Sequence, residues 1–365
     1  MTVTILITSI GSISATGVAL CLAPVRQQVR IVATNSIPEA AGNFLADRTV
    51  LVPPTADAEA WSGAIRALIA AERPRLVLNG RDEEVGLLAG LREEAAAAGT
   101  AILAPPPPLV PVFADKYESA RFAAAHDLPF AATAVTAAEV EALLSRTGLP
   151  VVAKPRRGGF GARGAALLLT GDDVASALAE ERYVFQEMLP SPLLAASIEA
   201  WRGGRGIPWS FAMQSIDHEV DVLVDEARML GVCLSAGHAD GAFNRDIRAV
   251  DVPSMAAAAE AYGRVLGGLG YRGPVNLQGR LLDDGRFVPF EINARFTGTM
   301  IGKAGIGFNL VLAALRHWTG GAAAGDPPLA PNRRVVQRLP MFMAYDADAE
   351  ERLGASGSWT RDGED

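Results

Sequence analysis

The stretch Gly273–Phe296, GPVNLQGRLLDDGRFVPFEINARF, constrains this chain more than any other segment. Val288, Phe290, Ile292, Ala294 and Phe296 alternate with Pro289, Glu291, Asn293 and Arg295, the period of two that marks a strand with one buried face. Val275, Leu277 and Leu281 alternate in the same way with Asn276, Gln278 and Arg280, and Asp283-Asp284-Gly285 supplies a turn between the halves. The spacing therefore predicts a β-hairpin. Its polar set is even-numbered in the first strand and odd-numbered in the second, and a slip of one residue would turn one set into the core. Cross-strand partners on that face must therefore sum to an odd number, and a sum of 569 leaves Asp283 to Arg286 as the loop. It sets Gln278 opposite Glu291 and Asn276 opposite Asn293, about 5 Å apart at Cβ.

One sheet face then carries a carboxylate, two or three amides and the arginines Arg280 and Arg295. A carboxylate with neutral amide oxygens suits Mg²⁺, which takes few protein carboxylates and completes its shell with water and substrate phosphates. Arginine suits the phosphate oxygens themselves. The competing account is a solvent-facing strand with an ordinary Glu–Arg pair.

The remainder of the chain narrows the fold. Thr2 to Thr8 is a continuous apolar run, as expected of a buried parallel strand. Strand patterns recur at Val29 to Thr34, Thr49 to Val52, Leu76 to Leu78 and Ala101 to Leu103. Helical patterns lie between them at Ala15 to Leu22, Ala58 to Ala71 and Glu83 to Ala98. Alternating β and α elements imply a parallel sheet covered by helices. The turn Gly11-Ser-Ile-Ser-Ala-Thr-Gly17 lacks the G-x-G-x-x-G spacing of a dinucleotide loop, so a nicotinamide oxidoreductase has little support. Asp82, in Asn79-Gly-Arg-Asp-Glu-Glu84, is placed either to cap the helix that follows or to meet a ligand at the strand ends.

Four consecutive prolines, Pro105 to Pro108, mark a domain boundary. Asp115-Lys116 opens a helix reaching about Ala125. Pro150 to Lys154 reads as a strand, followed by the loop PRRGGFGARG and a second strand at Ala165 to Leu169. The glycines let backbone N–H groups approach phosphates. It is no Walker A loop, because G-K-[ST] is absent and a strand rather than a helix follows. Lys154 stands on an otherwise apolar strand immediately before this flap. Thr297 to Asn309, TGTMIGKAGIGFN, permits close approach of substrate, and Lys303 there is placed to hold a carboxylate.

Composition excludes several classes. With 365 residues, half of them hydrophobic and a fifth charged, the chain has the profile of a soluble protein of two or three domains. A net charge of −8 speaks against a nucleic-acid footprint. Cys21 and Cys233 both sit in apolar runs and read as buried thiols of a reducing compartment. The four scattered histidines give no zinc spacing. No apolar run reaches a membrane span, and the N-terminus lacks the basic region of a signal peptide. The expectation is a cytoplasmic protein with no membrane or nucleic-acid partner and with a homodimer as its expected assembly.

The order of these segments resembles the ATP-grasp superfamily. It is most similar to the carbamoyl-phosphate synthetase large-subunit type and the small single-chain carboxylate–amine ligases related to it. DKYESARFAAAHDLP, PVVAKPRRGGFGARG, VFQEML and GPVNLQGRLLDDGRFVPFEINARFTGT carry the likeness, which covers roughly residues 1 to 320. The resemblance implies an α/β and α+β architecture. A Rossmann-like parallel-sheet domain would span 1–112, the small ATP-grasp lobe with its flap 113–185, and the large lobe with the metal hairpin 186–320. A C-terminal extension, poorly ordered at its end, would occupy 321–365.

It further implies ATP and two Mg²⁺ ions as cofactors, with Mn²⁺ able to substitute. Gln278, Glu291 and Asn293 match the metal ligands, with Glu291 shared between the ions. Arg295 matches the arginine that meets the nucleotide phosphates or the acyl-phosphate, and Lys116 and Lys154 match the basic positions on the ATP phosphates. Gly158, Gly159, Gly161 and Arg163 fall in the matching flap. Gln186, Glu187, Met188 and Leu189 match the hinge whose backbone reads adenine. Asp217 matches the ribose acid, one methylene shorter than the usual Glu. Glu199 is its rival, because about 25 extra residues, around 190–216, intervene after the hinge. The implied activity joins a small-molecule carboxylate to an amine through an acyl-phosphate, releasing ADP and phosphate. The alternatives are activation of bicarbonate or another simple acid, and a nucleotide-binding regulator without turnover.

Overall fold

The computed structural model describes residues 2–158, 163–189, 199, 214–240, 243–321, 328–338 and 343–361. Five parallel strands open the chain: β1 (Val3–Ile7), β2 (Val29–Asn35), β3 (Arg48–Leu51), β4 (Leu76–Leu78) and β5 (Ala101–Ile102), in the spatial order β3-β2-β1-β4-β5. The central strands β1 and β4 are short and almost wholly apolar, as a sheet covered on two sides requires. One face packs against α2 (Ala58–Glu72) and α3 (Asp82–Ala97) through Trp61, Ile65 and Leu88. The other face, under α1 (Ile13–Cys21), shares its core with Phe296, Met300 and the apolar run Leu310–Leu315 near the far end of the chain.

Two antiparallel sheets follow. The smaller, β6 (Thr133–Ala134), β7 (Val151–Pro155), β8 (Ala166–Leu168) and β9 (Tyr183–Glu187), has the order β6-β9-β7-β8 and is backed by α6 (Ala137–Thr147) and α7 (Gly171–Leu178). The short α4 (Val110–Ala114) and then α5 (Lys116–Ala125) precede it. Val112 of α4 and Ala123 of α5 pack into the core of the larger sheet.

The larger sheet contains β10 (Gln214–Asp225), β11 (Arg228–Asp240), β13 (Asp246–Ala249), β14 (Arg272–Leu281), β15 (Phe287–Asn293) and β16 (Val335–Gln337), with β12 (Phe243–Asn244) paired to β11. Its order is β15-β14-β10-β11-β13-β16. Helix α8 (Pro253–Gly268) covers one face, with α9 (Met300–Gly305) and α10 (Leu310–Trp318) on the side of the first sheet. Among the described residues, no helix is long and apolar enough to cross a membrane.

The segment after Asp346 differs from expectation. It forms α11 (Ala347–Ser356) and β17 (Ser358–Thr360), which adds to β3 as an antiparallel edge strand. Buried Ala349 and Leu353, and the contacts of Tyr345 and Trp359 with Phe44, supply the ordering energy that the polar composition concealed. Most of the intervening 190–216 segment, and flap residues Gly159 and Gly161, lie outside the described residues.

Candidate active site

The hairpin pairs as its alternation predicts: Gln278 stands opposite Glu291 and Asn276 opposite Asn293. The turn is longer than expected, residues 282–286, because the register shifts between Gln278 and Gly279. Gly279 pairs with Pro289 and Arg280 with Val288, so Phe290 is an extra residue on β15, a bulge. The bulge changes which residues of β15 share a face with Asn276, Gln278 and Arg280. Phe290, read from the alternation as apolar backing, instead lines the cavity beside Glu291.

That cavity, of about 580 Å³, lies where the three sheets meet. Lys116, Lys154, Gly158 and Arg163 come to it from the smaller sheet and the segments around it. Asp217, Gln278, Arg280, Glu291, Asn293 and Arg295 come from the larger. Glu291 is half-buried and has no hydrogen-bonded or ion-paired partner among the described residues. Asn293 donates its Nδ2 to Asn276 Oδ1 at 3.4 Å, which leaves the Asn293 oxygen as the end available to a ligand. A carboxylate with the amide side chains of Gln278 and Asn293 beside it in the cavity is a donor set that suits a hard divalent cation such as Mg²⁺.

The cations around this set are held differently. Lys154 Nζ donates to Gln186 Oε1 at 2.6 Å and lies 4.4 Å from the centroid of the Phe290 ring. Burial pushes its pKa down to about 8, with Lys116 and Arg280 acting in the same direction and Glu291 and Asp217 opposing. Lys116 Nζ donates to the carbonyl of Gly158 at 2.7 Å, tying the start of α5 to the flap root. Asp115 caps α5 and also accepts from Arg156 and Arg157, so the same carboxylate anchors both segments. Arg295 is 7% exposed and forms a two-point pair with Asp82, at 2.8 Å for each contact. Asp82 thus does not cap α3, whose N-cap is Arg81; it bridges the first domain to the hairpin. The Asn79 side chain makes a second bridge, to the carbonyl of Ala294.

The hinge residues lie at the margin. Gln186 is buried and fixes Lys154, while its Nε2 donates to Thr133 Oγ1 and to the Phe290 carbonyl. The Glu187 carboxylate accepts from the Ala132 amide at 2.6 Å, and Leu189 packs on Ala131 and Val288. None of Gln186, Glu187, Met188 and Leu189 is among the residues lining the cavity. Asp217 does line it, 3.6 Å from Arg280.

Lys303 is the largest departure from the sequence reading. It is wholly buried beneath the cavity and is bound to Glu219, to Asp221 and to Thr297 Oγ1, the first at 2.5 Å and the last at 3.1 Å. Burial disfavours its charge, but the two carboxylates outweigh this and hold its pKa above the usual lysine range. Its ammonium is therefore engaged by the protein and is not presented to a substrate. Asn276 donates to both carboxylates, so a chain of polar contacts runs from Lys303 through Glu219 and Asp221 to Asn276 and Asn293. The strand register explains this ladder: Glu219 stands opposite Gln278, and Asp221 opposite Asn276. Glu219 and Asp221 are i and i+2 on β10, a same-face spacing visible in HEVDV, but their lysine partner is more than eighty residues away.

No protein-family model matches the sequence, and no curated protein is significantly similar to it. Solved structures do match. The biotin carboxylase domain of a 2-oxoglutarate carboxylase from Hydrogenobacter thermophilus, solved with magnesium ADP and bicarbonate, is 13% identical, with a TM-score of 0.63 over 88% of this chain and 70% of that one. N5-carboxyaminoimidazole ribonucleotide synthetase from Thermus thermophilus is 17% identical, with a TM-score of 0.60 over 90% and 79%. An L-amino acid ligase from Bacillus licheniformis is 14% identical, with a TM-score of 0.59 over 85% and 73%. With a parallel-sheet domain leading into two antiparallel sheets that meet around one cavity, the chain has the ATP-grasp fold.

Proposed function

We propose that this chain is an ATP-dependent carboxylate–amine ligase acting on small molecules. The observation that carries the reading is the row Gln278, Glu291, Asn293 and Arg295 in one cavity with Lys116 and Lys154. A carboxylate acylates poorly because its leaving group would be oxide. Transfer of the γ-phosphoryl group of ATP to a carboxylate oxygen breaks the γ-phosphorus bond to the bridging oxygen, releases ADP and creates an acyl-phosphate. An amine then attacks the acyl carbon, phosphate departs, and the amine loses a proton to give the amide. The first step needs alignment and charge neutralisation more than a protein nucleophile.

Gln278, Glu291 and Asn293 would hold Mg²⁺ in this reading, two ions sharing Glu291, with Mn²⁺ a workable substitute. The metal supplies charge neutralisation at the phosphate oxygens. Lys116 and Lys154 bind the phosphates, Arg295 steadies the acyl-phosphate, and Asp217 meets the ribose. Arg163 and the glycines 158, 159 and 161 cover the phosphates, which keeps water from the acyl-phosphate. The hinge, residues 186–189, takes the adenine edge through its backbone. Lys303 acts from below, by holding Glu219 and Asp221 in place.

The test is nucleotide turnover with Mg²⁺ and ATP across pooled carboxylates and amines, with ADP quantified separately from AMP. The expected result is ADP and phosphate release that requires one acid–amine pool and is lost, by about a hundredfold or more, in Glu291→Gln. AMP and pyrophosphate as products would overturn the mechanism.

A further inference from the structure

Two rows of polar side chains cross one face of the larger sheet. The register sets Glu219, Gln278 and Glu291 side by side in one row, and Asp221, Asn276 and Asn293 in the next. Asp221 and Asn276 do not line the cavity, and the ligase reading gives neither a direct task. An amide side chain is nearly symmetrical in shape but not in chemistry, because its nitrogen donates and its oxygen accepts. Mg²⁺ takes oxygen ligands. Asn293 can therefore serve an ion in only one of its two orientations, and a half-turn would present N–H groups instead.

The neighbours select that orientation step by step, beginning at Lys303. Its Nζ donates to Glu219 Oε2, to Asp221 Oδ2 and to Thr297 Oγ1, which uses three hydrogens and so requires the ammonium form. Glu219 Oε2 also accepts from Thr299 Oγ1 at 3.1 Å. Asn276 Nδ2 lies 3.1 Å from Asp221 Oδ1 and 3.4 Å from Glu219 Oε2, so both its hydrogens face carboxylate oxygens. Reversing this amide would set its oxygen against two negative charges. Asn276 Oδ1 is thus turned to Asn293, whose Nδ2 it accepts at 3.4 Å. Reversing Asn293 would in turn set oxygen against oxygen. None of the five residues is more than 4% exposed, so solvent does little to relieve a wrong pairing.

We propose that Lys303 is a positioning residue for the metal. By seating Glu219 and Asp221 as acceptors, it sets the direction of the Asn276 and Asn293 amides and turns the Asn293 oxygen to the ion. That Asn293 meets a metal rests on the ligase reading; the direction of the two amides does not.

Removing Lys303 would strand two buried carboxylates, so Asp221→Asn is the milder probe. Lys303 then keeps Glu219 and Thr297, and the side-chain shape is unchanged. The ammonium draws the oxygen of the introduced amide, whose nitrogen faces Asn276, and the Asn276 and Asn293 amides both reverse. Adding Asn276→Asp supplies an acceptor to both neighbours and restores Asn293, with as many buried carboxylates as the wild type. Mn²⁺ is titrated into each full chain with a non-hydrolysable ATP analogue present, and the free ion is followed by electron paramagnetic resonance. The expected affinity is about tenfold lower in Asp221→Asn and within about threefold of wild type in the double variant. Wild-type affinity in Asp221→Asn, or no recovery in the double variant, overturns the proposal; a packing role alone would make the double variant the weaker of the two. Neutron diffraction from the ligand-free wild-type chain separates nitrogen from oxygen and needs no substitution. Deuterium on the side of the Asn293 amide that faces Asn276 is expected, and deuterium on the cavity side overturns the proposal. Failure of the wild type to bind Mn²⁺ would instead count against the ligase reading, and the neutron result would still decide the direction of the amides.

Discussion

Lys154 and Lys303 show how two buried lysines of one structure can be shifted in opposite directions by what they touch. Both lose hydration, which disfavours the ammonium. Lys303 meets two carboxylates at contact distance and stays charged, so its contribution to stability is present below the ordinary lysine pKa and is lost only as pH rises through its elevated one. Lys154 meets only the neutral Gln186 oxygen and the face of Phe290, and its pKa falls to about 8. If Lys154 binds phosphate, it must do so protonated, and its protonated fraction falls as pH rises through that value. Affinity for the magnesium complex of a non-hydrolysable ATP analogue should therefore be greatest below pH 8 and weaken by about tenfold toward pH 9.5. In Lys154→Met the affinity should be low throughout and this part of the pH profile flat. A wild-type profile that stays level from pH 7 to 9.5 would remove Lys154 from the phosphate site.

The elements differ in how much of them the sequence disclosed. The hairpin register was legible because the polar–apolar alternation of β14 and β15 allows only pairings that sum to an odd number, and the turn at Asp283–Gly285 selects the one that sets Gln278 opposite Glu291 and Asn276 opposite Asn293. The bulge was not legible. It depends on how β15 curves toward the smaller sheet, where the Ala131 amide takes the Pro289 carbonyl and Gln186 takes that of Phe290. Alternation read straight through placed Phe290 in the core. Gly279 is the local sign of it: a Cβ there would lie 2.6 Å from the Val288 carbonyl oxygen and equally close to the Phe287 ring. Gly279→Ala should destabilise the chain by about 1–3 kcal/mol, read by chemical denaturation. It should also weaken nucleotide binding by displacing Phe290. Wild-type values for both would mean the bulge tolerates a side chain and is fixed elsewhere. The buried Lys303 network escaped the sequence for a related reason, since β10 and α9 carry its two halves and only tertiary packing brings them together.

At the scale of the whole molecule, the chain closes on itself. Its last described strand, β17, returns to the first sheet and pairs with β3, covering an edge that would otherwise offer open main-chain donors and acceptors. Phe44 is gripped from two sides, stacked on Tyr345 at 4.7 Å and edge-on to Trp359 at 5.2 Å, and Arg361 donates to the Leu45 carbonyl at 3.0 Å. A polar stretch with few apolar residues reads as a loose tail, because a single antiparallel strand added to a parallel sheet leaves no local signature. The cavity lies elsewhere, among residues of the hairpin, the flap root and α1, and none of its lining residues comes from 347–361. Ending the chain after Asp346 should therefore separate stability from chemistry. Loss of α11 and β17 should lower the thermal midpoint by several degrees and raise light scattering as the β3 edge is exposed. At 25 °C, affinity for the magnesium–nucleotide complex should stay within about twofold of the full chain. An unchanged midpoint would show that the closure contributes nothing to the first domain, and a large loss of affinity would show that the first sheet's edge is coupled to the cavity through α1.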